Sequence, residues 1–166
     1  MNNLIIEDAN VIFPNFSGRE SRYNRAGNRC FSVVVPDKDL AMQLREDGWN
    51  IRERIINDEP TGEYYINGVN LNYDYYLKPI IIYVTNGNEI ELTPELLDAG
   101  IAAQLDGRGA ERYDMSIRPK SWERSDGSIG IKGYVDEMRI IAKKSLFGQG
   151  GFHTPAVDDE AELPFN

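Results

Sequence analysis

The chain has 166 residues, 41% hydrophobic and 27% charged, with a net charge of −9 at pH 7. These values exclude a wholly disordered chain or a fibrous repeat, and the length suits one folded domain. The longest apolar run, Pro79 to Val84, is too short for a membrane-spanning helix. No signal peptide is expected, because Met1-Asn2-Asn3 carries no basic residue and Glu7 and Asp8 soon interrupt the apolar start. The lone cysteine, Cys30, excludes an internal disulfide and fits the reducing cytoplasm.

In chain order, most punctuation suits strands. Ile5, Ala9, Val11 and Phe13 alternate with polar residues and predict a first strand ending near Pro14. After a Gly- and Arg-rich segment, Phe31-Ser32-Val33-Val34-Val35 is a short β-branched strand. Pro36-Asp37 opens a helix with Leu40, Ala41 and Leu44 on one face, and Gly48 stops it. Trp49 to Ile56 alternates again, with Trp49 itself assigned to the core. Asn67-Gly68, between Tyr64-Tyr65-Ile66 and Val69-Asn70-Leu71, predicts a two-residue hairpin. A long strand is expected from Leu71 to Val84, edge-placed or bulged at Pro79, and Asn86-Gly87-Asn88 makes a turn. The tyrosines Tyr64, Tyr65, Tyr73, Tyr75, Tyr76 and Tyr83 read as sheet packing.

Thr93 can cap a second helix with Pro94 at its first position, Leu96, Leu97 and Ile101 inward, and Gly100 near its end. Tyr113, Met115 and Ile117 then alternate with Asp114, Ser116 and Arg118. The turn Ser125-Asp126-Gly127-Ser128 leads into Ile129, Ile131, Gly133 and Val135. The apolar phase changes near Asp136, which predicts a bulge there. About six strands with two short helices describe a mostly β fold, best fitted by a Greek-key oligonucleotide-binding (OB) barrel with added hairpins. This domain is expected over residues 1–147. A Gly-rich linker and acidic tail, 148–166, should be disordered.

Catalytic constellations are missing from the sequence. His153, the only histidine, falls in the tail, so neither a Ser-His-Asp nor a Cys-His unit has a rigid base. No Cys/His cluster offers a zinc site. Gly148-Gln149-Gly150-Gly151 is not a phosphate loop, since no Lys-Ser/Thr follows it. Glu89, Glu91, Asp136 and Glu137 could meet as metal-binding carboxylates, but solvated strand faces explain them as well. No cofactor and no catalytic residue is expected.

The charge is unevenly placed. Residues 16–30 contain Arg19, Arg22, Arg25 and Arg29 against Glu20 alone, a balance of +3, while residues 157–166 carry −4. In the first segment the arginines are interleaved with Phe16 and Tyr23 and flanked by Gly18 and Gly27. Guanidinium groups pair with phosphates, and aromatic faces stack on unpaired bases at about 1–3 kcal/mol each. A solvated loop with surface arginines would have the same composition. Further on, Arg118, Lys120, Trp122 and Arg124 share one strand parity, as do Lys132 and Tyr134 on the next strand. A basic row containing a tryptophan suits a strand-borne platform for DNA. The candidate DNA-binding set is therefore Phe16, Arg19, Arg22, Tyr23, Arg25, Arg29, Arg118, Lys120, Trp122 and Lys132.

The last residues read Asp158-Asp159-Glu160-Ala161-Glu162-Leu163-Pro164-Phe165-Asn166. This stretch resembles the C-terminal tip of bacterial single-stranded DNA-binding proteins. The resemblance implies that Asp158, Asp159, Glu160, Glu162, Leu163, Pro164 and Phe165 bind replication or repair proteins, with Phe165 in an apolar pocket. The family's tip ends on Phe with a free carboxylate, whereas Asn166 follows here. In the body, Asn15-Phe16-Ser17-Gly18, Tyr23-Asn24, Gly27-Asn28-Arg29, Phe31 and Asp47-Gly48-Trp49-Asn50 resemble small phage proteins that bind single-stranded DNA. Ile117-Arg118-Pro119 through Trp122 is similar more weakly. The resemblance implies an OB barrel and a non-enzymatic, sequence-tolerant role in phage replication or recombination, in the bacterial host cytoplasm. A protein-interaction module or acidic DNA mimic inhibiting a host enzyme is the rival, and a carboxylate-metal nuclease the third reading.

Overall fold

The computed structural model describes residues 1–144. The expected linker and tail, 148–166, lie outside the described residues. Among the described residues nine strands form one sheet: β1 Leu4–Ile6, β2 Val11–Asn15, β3 Arg29–Val34, β4 Ile51–Ile56, β5 Glu59–Leu71, β6 Ile80–Thr85, β7 Asn88–Glu91, β8 Arg112–Glu123 and β9 Ile129–Ile141. Helix α1 is Lys38–Asp47; the second helical segment joins α2 Pro94–Leu96, a π-helical turn Leu97–Ile101 and α3 Ala102–Arg108. The main path runs β1-β8-β9-β5-β3-β2, with β4 paired to β5, and β6 paired to both β7 and β9. The fold is mostly β, as expected. Its end strands β1 and β2 do not pair with each other, so no hydrogen-bonded seam closes the sheet.

The alternation in β8 and β9 builds the core. Tyr113, Met115, Ile117, Val135, Met138 and Ile140 all point inward against Phe31, Val33, Val69 and Ile81. Ser116 faces Glu137 and Ile117 faces Val135, leaving Asp136 as the extra residue of a bulge. Thr93 caps the second helix as the sequence predicts, and Asp37 caps the first. Asp37 accepts from the Leu40 amide at 2.9 Å and Thr93 from the Leu96 amide at 3.2 Å. Gly48 closes α1 at φ 115, and Trp49 is buried.

Four local expectations are corrected. The predicted first strand is broken between Ile6 and Val11, where Asp8 turns at φ 50. Asn67-Gly68 is not a hairpin tip. It lies inside the 13-residue strand β5, where pairing with β3 slips opposite Ser32 and the Gly68 amide donates to Ser32 Oγ at 3.2 Å. The actual tip is Asn57-Asp58, both at positive φ, between Ile56 and Glu59. The long strand expected from Leu71 to Val84 is instead split by a loop over 72–79, with buried Pro79 immediately before β6. The second helix kinks at Gly100, φ 136, and continues to Arg108, while Leu96 faces out rather than in.

Candidate nucleic-acid interface

One register row organises the surface. Asn15 pairs with Cys30, Cys30 with Asn70, Asn70 with Tyr134, and Tyr134 with Arg118. Directly paired residues share a face of the sheet. The row thus links β2, β3, β5, β9 and β8. Residues 16–28 leave the sheet after Asn15 and return at Arg29, so this segment springs from one end of the row. The β8–β9 hairpin stands at the other end, and two strand spacings, roughly 10 Å, separate Cys30 from Tyr134.

The 16–28 segment is tightly organised. At its neck Gly27 donates to the Gly18 carbonyl at 2.8 Å, and a Cβ on Gly18 would stand 3.0 Å from Gly27 backbone carbon. Asn24 is the hub: its side-chain amide donates to the carbonyls of Arg19 at 2.9 Å and Asn28 at 3.0 Å. Asn15 Oδ1 accepts from the Arg19 amide at 2.8 Å. Ser21 and Asn24 bridge each other, leaving Arg22 and Tyr23 as the tip of a miniature hairpin. Tyr23 is 89% exposed, with the Arg22 guanidinium 5.6 Å from its ring centroid. Arg19 and Arg25 are exposed too.

Phe16 and Arg29, two of the expected members that are engaged within the protein, anchor the ends of this segment. Phe16 is 1% exposed and stacks on Phe31 at 5.4 Å and Tyr113 at 6.3 Å between ring centroids. It is a core residue and cannot reach a base. Its amide donates to Asp106 Oδ1 at 2.6 Å, which pins the start of the segment to α3. The Arg29 side chain is only 12% exposed, donates to the Phe16 carbonyl at 2.7 Å and pairs with Asp98 at 3.1 Å. It fastens the other end of the loop.

On the hairpin, Lys120 and Lys132 are paired across β8 and β9 and exposed, and Trp122 is 51% exposed. The loop over 72–79 lays Tyr75 beside them. The Lys120 ammonium stands 5.1 Å from the Tyr75 centroid, and the Lys132 ammonium 6.0 Å from that of Tyr134. Tyr76 packs on Tyr75 at 4.7 Å and is itself 78% exposed. Arg118 is the pillar beneath. Its guanidinium lies 5.6 Å from Tyr75 and 5.4 Å from Tyr134, and its Nε donates to Asp136 at 2.9 Å. The Arg118 charge is thus paired with Asp136, while Lys120 and Lys132 are exposed.

Tyr75, Tyr76 and Tyr134 were missing from the expected set. Parity in the sequence already places Tyr134 beside Lys132. Tyr75 and Tyr76 were not legible, because a Tyr-rich stretch ahead of a β-branched run has the composition of a strand. The carboxylates considered for metal are separated by their partners, Glu89 with Arg139 at 2.8 Å and Asp136 with Arg118 at 2.9 Å. Among the described residues no three His, Cys, Asp or Glu come together as a metal-holding group, and no helix is long and apolar enough to cross a membrane.

A mostly β scaffold that exposes aromatic rings beside cations has the character of a nucleic-acid-binding protein. The chain belongs to the family described as "Putative phage ssDNA-binding domain", whose model matches residues 1–162. Its fold is similar to that of a single-stranded DNA-binding protein from bacteriophage Enc34. The C-terminally truncated form of that protein matches at TM-score 0.51 and 12% identity over 87% of this chain and 88% of the other. Another structure of it matches at TM-score 0.50 and 14% identity over 92% and 87%. A search of curated proteins finds no match.

Proposed function

We propose that this chain coats single-stranded DNA with little sequence preference, serving phage replication or recombination in the bacterial cytoplasm. The observation that carries the reading is the register row. It joins the arginine loop at Asn15–Cys30 to the ring-and-cation platform at Tyr134–Arg118. Arg19, Arg22, Arg25, Lys120 and Lys132 pair with phosphates, while Tyr23, Trp122, Tyr134, Tyr75 and Tyr76 offer faces to bases. Every base has a π-face, so such contacts tolerate any sequence. The loop's internal hydrogen bonds mean that little has to be ordered on binding. The acidic tip, with Phe165 as its apolar anchor, recruits replication or repair proteins.

Titration of fluorescent single-stranded DNA, duplex DNA and RNA tests this directly. Single-stranded DNA should bind at micromolar concentration or tighter, and more tightly than duplex. A protein that ignores all three probes would be the interaction module or DNA mimic. Mg²⁺-dependent loss of the probe would make it a nuclease.

A further inference from the structure

The tip of the β8–β9 hairpin contains an arginine with a different task. Arg124 lies just past β8, its guanidinium 5.5 Å from the Trp122 ring centroid. Its donors are taken by the protein itself: Nη1 reaches the Ile129 carbonyl at 2.8 Å and Ser128 Oγ at 3.3 Å, and Nη2 the Gly48 carbonyl at 3.2 Å. Gly48 is the left-handed cap of α1, so the cation also sits where the helix dipole favours positive charge. Directly opposite Trp122 in register stands Gly130. A Cβ there would lie 2.8 Å from Trp122 Nε1 and 2.9 Å from Arg124 Cζ, closer than such atoms approach. Gly130 is not one of the positive-φ glycines, so its backbone would accept any residue. What requires glycine is the pair of side chains lying across the strand.

Resting on the reading above that Trp122 stacks on a base, we propose that Arg124 and Gly130 are positioning residues that hold the indole as a one-sided platform. Gly130 leaves room for the ring to lie down on β9. Arg124 covers one ring face and ties it to the end of α1. The other face stays open for a single unpaired base, and half the residue remains exposed to receive it. Lysine cannot substitute, since a point charge lacks both the stacking plane and the forked donors. Arg124 acts through shape and hydrogen bonds, and its charge does not reach DNA.

The test uses the full chain and a labelled oligothymidine across a salt series, with the Trp122 emission isolated by difference against Trp122→Phe. Gly130→Ala and Arg124→Lys should each weaken binding about 2- to 10-fold, the cost of ordering one free side chain on binding. Both should change the Trp122 emission, keep the salt slope, and lose their effect in a Trp122→Ala background. If Gly130→Ala perturbs the hairpin's melting, Arg124→Lys carries the test alone. A log–log salt slope flattened by about 0.7 in Arg124→Ala would make Arg124 a phosphate contact and overturn the proposal. So would full affinity in Arg124→Lys, or effects that persist without Trp122. Unchanged binding by Trp122→Ala would overturn the platform reading as well; a weakened Trp122→Ala beside unaffected Arg124→Lys would overturn positioning alone.

Discussion

Two aromatic residues seven positions apart in one segment have opposite fates. Phe16 is enclosed by Phe31 and Tyr113, whereas Tyr23 projects into solvent from a two-residue tip. Phe16→Ala should therefore lower stability by about 3–5 kcal/mol, as measured by denaturant unfolding. Tyr23→Ala should leave unfolding unchanged and weaken single-stranded DNA binding by about 1–3 kcal/mol, the value of one stacked base. A Tyr23→Ala protein that unfolds early would place that ring in the core instead. Composition could not separate the two, because Phe and Tyr beside arginines read alike until the sheet places them. A second residue-scale expectation concerns pH. Burial pushes the phenols of Tyr73 and Tyr113 up to about 12. Each keeps its proton in the folded state after the unfolded chain, near pH 10, has begun to lose it. Stability should hold below about pH 10 and fall between there and about pH 12, with a smaller fall in Tyr113→Phe. Melting curves at pH 9 and 11.5 check this, and a flat response would remove both phenols from the interior.

At the scale of elements, the legible features were those where one local rule acts unopposed. The phase change at Asp136 could only be a bulge, the first helix opens after Pro36-Asp37, and Thr93 caps the second. Asn67-Gly68 failed because the dipeptide serves two geometries. Gly68 at φ 72 suits a bulge within a strand as well as a turn between two, and pairing of β5 on both edges selected the bulge. Asn57-Asp58, without glycine, took the turn. The loop over 16–28 was legible in composition but not in architecture, since its form depends on Asn24 reaching three carbonyls, those of Arg19, Arg25 and Asn28. Asn24→Ala should thus leave the sheet's melting temperature nearly unchanged, because the loop is exposed, and yet weaken DNA binding as the arginines lose their fixed placement. Unfolding melts beside binding isotherms decide it. Unaltered binding would mean that loop order is irrelevant to the ligand.

For the whole molecule, a net charge of −9 on a DNA binder is reconciled only by where the charges sit. Four of the acids fall within residues 158–162, and removing residues 152–166 leaves −5. That truncation should tighten DNA binding at low salt, both by reducing repulsion and by removing a tethered competitor for the basic loop. Phe165→Ala preserves every charge, so it should spare DNA affinity and abolish capture of a replication or repair partner. Partner capture that survives Phe165→Ala would reduce the tail to a solubilising anion.

The central claim is that exposed cations on one face hold the backbone of unpaired DNA while rings take its bases. Affinity for single-stranded DNA measured from low to high salt tests it most directly. With about four of Arg19, Arg22, Arg25, Lys120 and Lys132 on phosphates, log K should fall against log salt with a slope near −3, at about −0.7 per contact. Arg22→Ala with Arg25→Ala should bring it to about −1.4. A slope near zero, or tighter binding to duplex than to single strands at every salt concentration, would contradict the account.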